Sequence, residues 1–142
     1  MKNIASIFII MLVSLNIAAC NKVQGETNTT NENKPNTEVI MVYYFHFSHR
    51  CATCVAVEEQ TLKSLNELYP EKMKSGKITF QSINLDEKAG EELAKKVKVS
   101  GQTLIFIGAG KNINLTNDGF MYARNNPEKL KAKIKVTVDK MF

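Results

Sequence analysis

The run Val39-Ile40-Met41-Val42-Tyr43-Tyr44-Phe45 is apolar, β-branched or aromatic without interruption. A strand with one wet face alternates apolar and polar residues, so an unbroken run of this kind requires cover on both faces. Helices supply that cover in α/β domains, which makes a layered sheet the expected architecture. After the short segment His46 to Arg50 comes Cys51-Ala52-Thr53-Cys54, and beyond it Val55, Leu62, Leu65 and Tyr69 fall at helical spacing until Pro70 ends the pattern. The two cysteines are thereby expected at a strand-to-helix junction.

The rest of the chain extends this alternation. Lys77 to Leu85 reads as a second strand whose apolar phase changes between Phe80 and Ile83, as in a two-faced central strand or a bulge. Asp86 is placed to cap a helix in which Ala89, Leu93 and Val97 recur every four residues, with Gly90 as a weak point. Thr103 to Ile107 and Asn112 to Thr116 are expected to form a hairpin across Gly108-Ala109-Gly110, closed by Asn117-Asp118-Gly119. Asn126-Pro127-Glu128 is a strong helix start, and Leu130, Ile134, Val138 and Met141 mark the buried stripe of the last helix. The predicted order is β-α-β-α-β-β-α, a mixed sheet flanked by helices over residues 38–142.

The beginning of the chain has another character. Lys2 gives a short positive region and Ile4 to Leu15 a mainly apolar one, shorter than the ~20 residues that a membrane-crossing helix needs, followed by Ala18 and Ala19. Residues 1–19 thus read as an export leader. Ile17-Ala18-Ala19-Cys20 resembles the lipobox of bacterial lipoproteins, in which the cysteine is acylated and becomes the mature N-terminus; the alternative is an ordinary secretory leader that leaves Cys20 as a free thiol. More than one acyl chain would hold the protein stably at a membrane, whereas one chain binds only marginally. Residues 21–37 are almost entirely Asn, Thr, Glu, Lys and Gln and bury nothing, so they read as a flexible polar tether, about 24 Å in average span. The expected setting is the bacterial cell envelope, with the domain in the periplasm.

Composition excludes several classes. Of 142 residues, 44% are hydrophobic and 23% charged, which is neither a disordered, a collagenous nor a multi-span chain. The formal charge is +5, and loss of Lys2 with the leader leaves +4, 18 basic against 14 acidic residues. Much of it lies on Lys129, Lys131, Lys133, Lys135 and Lys140, which read as a solvated helix face, near anionic lipid if near anything. No aromatic residues interleave with them, and nucleic acid is not expected as a partner.

Cys51 and Cys54 carry the chemistry. The first turn of a helix presents unpaired N–H groups and the positive end of the helix dipole, both of which favour a thiolate. Cys51 is the expected nucleophile and Cys54, one turn further in, the shielded resolving thiol. A permanent structural disulfide is the bland alternative, but so small a loop gains little chain entropy from closure. A metal site is the other: His46 and His49 precede the cysteines, Cys₂His₂ would suit Zn²⁺, and the thiols alone suit Cu(I). His46 reads better as a partly buried strand residue, and His49 and Arg50 as polar or positive neighbours that favour the Cys51 thiolate.

The region Phe45 to Cys54, followed by Ile83-Asn84-Leu85-Asp86 and Val99-Ser100-Gly101-Gln102-Thr103, is similar to thioredoxin. Within that superfamily the lipidated start, the Cys-Ala-Thr-Cys pair and the Gly-Gln-Thr-Leu run resemble envelope proteins of the ArsF family, a presumed subunit of nitrophenyl compound nitroreductases. The resemblance implies a thioredoxin-like fold, a redox-active disulfide with no bound cofactor, and a protein thiol or disulfide, or another redox subunit, as partner. No flavin-binding signature is visible, so reduction of a nitro group would require a second subunit or cofactor.

Three positions depart from thioredoxin. Arg50 stands where Trp usually precedes the first cysteine. The buried acid and the lysine that assist proton transfer align to Phe45 and Ser82. The cis-proline facing the cysteines aligns to Gln102, where a cis bond would cost roughly 3 to 4 kcal/mol, so a trans peptide is expected, with the Gln102 amide free to meet a substrate backbone or a thiolate. The leading expectation is thiol-disulfide exchange through Cys51 and Cys54. The competing ones are a non-enzymatic module that binds a soft metal or arsenite, and an adaptor to a partner reductase.

Overall fold

The first strand is the centre of the molecule, as its unbroken apolar run requires. The computed structural model describes residues 39–142; the leader 1–19, Cys20 and the tether 21–37 lie outside the described residues. Strand β1 (Ile40–His46) leads into helix α1 (Ala52–Leu68), a short α2 (Pro70–Lys74) and strand β2 (Ile78–Asn84). Helix α3 (Lys88–Val97), strands β3 (Thr103–Gly108) and β4 (Lys111–Asn114), and helices α4 (Thr116–Tyr122) and α5 (Pro127–Asp139) follow. The sheet order is β2-β1-β3-β4, with β1 parallel to β2 and antiparallel to β3, and β3 antiparallel to β4. This is the thioredoxin-like α/β arrangement expected, with two short helices, α2 and α4, added to the predicted order. No helix of the described residues is long and apolar enough to cross a membrane.

Alternation along β1 sorts its side chains between two cores. Ile40, Val42 and Tyr44 join Val57 and Leu65 of α1 and Leu130, Ile134 and Val138 of α5 on one face. Tyr43 and Phe45 face the other way, with Ile105 of β3 and Ala94 of α3, against which Leu93 and Val97 pack. Leu130, Ile134, Val138 and Met141 are all buried, Pro127 sits in the first turn of α5, and the Asn126 side chain accepts from the Lys129 N–H, as the sequence predicts. Each fully buried aliphatic side chain contributes about 1.5–3 kcal/mol of burial free energy.

Four expectations are corrected. The buried face of α1 is Cys54, Val57, Thr61, Ser64 and Leu65. Val55 and Leu62 are exposed; the stripe is fixed by the inward turn of Cys54, which Val57 and Thr61 continue at helical spacing and Val55 does not. Among the described residues β2 is an edge strand, in unbroken register from Ile40↔Ile78 to His46↔Asn84, so its change of phase is a two-faced strand and not a bulge: Phe80 packs with the α1 side and Ile83 with the α3 side. Asp86 does not cap α3, whose N-cap is Glu87 without a side-chain bond, because its carboxylate instead accepts from the Ser48 N–H at 2.7 Å. Asn117-Asp118-Gly119 lies inside α4, where Gly119 permits close approach to Val57, and does not form a turn.

Gly90 is likewise no weak point. It is buried where α3 crosses the end of β2, and a Cβ there would be driven into the carbonyl group of Asn84. Replacing glycine by alanine inside a helix ordinarily stabilises by about 0.5–1 kcal/mol. Here the sign should reverse: Gly90→Ala is expected to lower unfolding free energy by about 3 kcal/mol in denaturant titrations, the cost of overpacking against backbone.

Candidate redox site

The site is built where β1 ends and α1 begins. Cys51 is the N-cap of α1, with extended backbone (φ −79°, ψ 163°), and its sulfur accepts from the Cys54 N–H at 3.3 Å. Its carbonyl accepts from the Val55 N–H at 3.1 Å, the first bond of the helix. One turn later, Cys54 lies on the inward face with 3% of its surface exposed, whereas Cys51 is exposed. The two sulfurs are 2.6 Å apart. One thiol therefore meets solvent while its partner waits behind it.

The Cys51 thiol is held below its ordinary range, first by the hydrogen bond from the Cys54 side chain and then by the backbone N–H groups of Cys54 and Thr53. The helix start thus acts through specific donors, as the motif predicts. Arg50 and His49 are not among these causes. The Arg50 guanidinium pairs with Glu58, donates to the Cys54 carbonyl at 3.3 Å and lies 5.7 Å from the centroid of the Tyr44 ring. The expected positive neighbour of the nucleophile is instead a brace across the first turns of α1. Its attraction to the Glu58 carboxylate and to the ring face gives the reason.

The histidines do not join the thiols. His46, half-buried at the end of β1, has Nδ1 2.9 Å from the Phe47 carbonyl oxygen, and His49 is exposed in the loop. Among the described residues no three His, Cys, Asp or Glu side chains gather in a way that could hold a metal ion, so the Cys51, Cys54, His46, His49 set is not assembled. Both histidines instead act electrostatically on Asp86, which is held below the usual carboxylate range chiefly by hydrogen bonds from Ser48. That bond, with Asn84 donating to the Ser48 hydroxyl at 3.0 Å, fixes the loop between β1 and α1 to the end of β2.

Gln102 is brought to the site. All peptide bonds of the described residues are trans, and the Gln102 Nε2 donates to the Cys54 sulfur at 3.4 Å. Beside it, Gly101 (φ +81°) turns the chain into β3, and Phe47, Leu85, Ala94 and Val99 line an apolar groove of about 290 Å³ that reaches Ser100 and Gly101.

Phe45 points to the α3 side of β1, and Tyr44, which lies opposite Ser82 in the sheet register, points to the α1 side. Sequence reasoning missed Tyr44 and Glu58. The signals were available: Tyr44 shares a strand face with Ile40 and Val42, and Glu58 stands four residues after Cys54 on a helix.

No family model matches this chain, and no curated protein matches it. Among solved structures it is similar to thioredoxin O2 from Arabidopsis thaliana in the oxidized state, with 20% identity over 72% of this chain and 78% of that chain and a TM-score of 0.47. It is similar also to the thioredoxin of Fasciola hepatica, at 22% identity over 69% and 80% with a TM-score of 0.42. The thioredoxin of Trypanosoma brucei brucei is 20% identical over 72% and 77%, with a TM-score of 0.44.

Because the Cys54 side chain is the largest cause of the Cys51 shift, its replacement should separate donor from non-donor. Cys54→Ala is expected to push the Cys51 thiol back up and slow its alkylation by iodoacetamide near neutral pH. Cys54→Ser, which keeps a donor, should slow it less. Equal rates in the two variants would show that the backbone N–H groups alone hold the thiolate.

Proposed function

We propose that this protein is a thiol-disulfide oxidoreductase of a bacterial envelope, anchored through lipid on Cys20, that exchanges a dithiol for a disulfide with a protein partner. The observation that carries the reading is the asymmetry of the two thiols. Cys51 is exposed, acidified and aimed outward from a helix N-terminus, and Cys54 is buried 2.6 Å behind it. A permanent structural bridge would have no use for an exposed, acidified sulfur.

The chemistry follows from that geometry. The Cys51 thiolate attacks a sulfur of the partner disulfide, forming a mixed disulfide and releasing one partner thiol. Cys54 then attacks Cys51, the Cys51–Cys54 bond forms, and the second partner thiol leaves. Two electrons pass from the dithiol to the partner, and the reverse sequence oxidises a partner dithiol. The dithiol itself carries the electron pair, so no bound cofactor is invoked. The narrower role implied by the ArsF resemblance, a redox subunit of a nitroreductase system, places the nitro-group chemistry on a second subunit, since dithiols are suited to exchange with disulfides.

Cys51→Ser should abolish reduction of a protein disulfide such as that of insulin, and Cys54→Ser should accumulate covalent mixed disulfides that dithiothreitol releases. Full turnover by either single variant overturns the reading. For the anchor, Cys20→Ser is expected to move the protein from the membrane fraction to the soluble fraction of a bacterial host while exchange persists. A Cys20→Ser chain that stays with the membrane would remove the lipid from the account.

A further inference from the structure

The resolving thiol needs a hydrogen-bond donor that the exchange reaction described above does not assign. Cys54 is 3% exposed, so water reaches its sulfur poorly. In the reduced protein that sulfur faces the Cys51 sulfur at 2.6 Å. Once Cys51 is bonded to a partner sulfur it has no proton to share, and Cys54 must ionise without help from it. A thiolate in a shielded position is costly unless a donor meets it. Among the described residues, the side chain other than Cys51 that offers a donor to the Cys54 sulfur is Gln102, whose Nε2 lies 3.4 Å away.

The sheet delivers this amide to the sulfur. Thr103 begins β3 opposite Phe45 of β1, and Gln102 precedes it, so the strand register carries Gln102 to the end of β1, where α1 starts. Gly101 (φ +81°) turns the chain there, the Thr103 hydroxyl donates to the Gly101 carbonyl at 3.1 Å, and Thr103 is itself buried. Gln102 is half-buried, which shields its amide in part and strengthens the bond it makes. A thiolate only accepts, so the amide nitrogen must face it. The amide does not titrate, so its donation is constant across the pH range in which thiols ionise.

We propose that Gln102 is a catalytic residue of the resolving step, donating its Nε2–H to the Cys54 sulfur as that sulfur becomes a thiolate. The inference rests on the exchange reading and deepens it. In the step, Cys54 loses its proton to solvent and its thiolate attacks Cys51 in the mixed disulfide. The Cys51–Cys54 bond forms, the bond from Cys51 to the partner sulfur breaks, and the partner leaves with the electron pair and takes a proton from solvent. Gln102 keeps both its amide protons throughout. Cys51 is served by an N–H group of its own helix and Cys54 by a side chain from the start of another strand, so the nucleophile and the resolving thiol are tuned by separate residues.

The test uses the full chain carrying Cys20→Ser, reduced and mixed with Ellman's reagent across the neutral and alkaline range. Attack by Cys51 releases one nitrothiobenzoate, and resolution by Cys54 releases the second, so the two phases report the two thiols separately. Gln102→Met keeps the length of the side chain and removes the donor. Loss of a hydrogen bond to a charged group lowers the thiolate fraction near neutral pH about tenfold, and the more basic thiolate that remains is about threefold more nucleophilic. The second phase of Gln102→Met should therefore be roughly threefold slower near neutral pH, reach its plateau at higher pH and exceed the wild-type rate on that plateau, with the first phase unchanged. Cys51, Arg50, Glu58 and Tyr44 also stand at this end of the site and are unaltered in the variant, so a moved profile belongs to the amide. An unchanged second phase overturns the proposal, as does a phase slowed equally at every pH, the mark of a merely structural role. Equal slowing of both phases assigns the amide to the partner and overturns it too. Gln102→Glu keeps the shape but sets a negative charge beside the sulfur, and it should slow the second phase further; a wild-type second phase there counts against Gln102 in the same way. A wild-type chain that releases only one equivalent overturns the exchange reading itself. In that event Cys54 is probed directly in a Cys51→Ser background, where Gln102→Met should move the rise of its alkylation by iodoacetamide to higher pH, and an unmoved profile sinks the role of Gln102 independently.

Discussion

The two-sided burial of β1 underlies everything else in this molecule. A strand with α1 and α5 on one face and α3 on the other must keep its register with both neighbours, and the β1–β2 and β1–β3 pairings run unbroken along it. A slip of one residue would exchange Tyr44 with Phe45 between the cores. It would also take the Tyr44 ring away from the Arg50 guanidinium, which lies 5.7 Å from its centroid. Packing of the core and composition of the site are therefore the same constraint.

The site depends on how sharply the chain leaves that strand. Between His46 and Cys51 it must reverse and begin a helix in a few residues, and the loop is held by Ser48 on Asp86 and Asn84 while Arg50 ties the other end to α1. Both attachments are polar and lie outside the two apolar cores. This leaves Cys51 rigidly placed yet exposed, a combination that burial alone would not give.

Much of this was legible in the chain. The unbroken run at Val39–Phe45 announced a covered strand, the cysteine spacing a helix N-terminus, and Asn126-Pro127 with Leu130, Ile134 and Val138 the last helix and its buried stripe. The misses share a cause: a local pattern does not carry the tertiary partner that overrides it. Val55 and Leu62 are good helix-face residues, but the inward turn of Cys54 fixes a different stripe. Asp86 has the chemistry of a cap, yet a loop N–H 38 residues away in sequence competes for it. Asn117-Asp118-Gly119 has turn composition, but the close approach of Gly119 to Val57 makes it a helical contact. Arg50 adjoins Cys51 in sequence, but its charge is paired with Glu58, eight positions on. Side-chain direction at such positions is set by long-range geometry that spacing does not encode.

The sheet's far edge has a consequence for the chain among its own copies. β4 has only four residues, Lys111, Asn112, Ile113 and Asn114, three of them exposed and polar. A short, charged, amide-rich edge is a poor template for a further strand, because added backbone pairs would be few. At the opposite edge, β2 exposes Gln81 and Ser82 at mid-strand. Among the described residues, both outer strands of the sheet thus present polar side chains, a composition that disfavours pairing between the sheets of neighbouring copies.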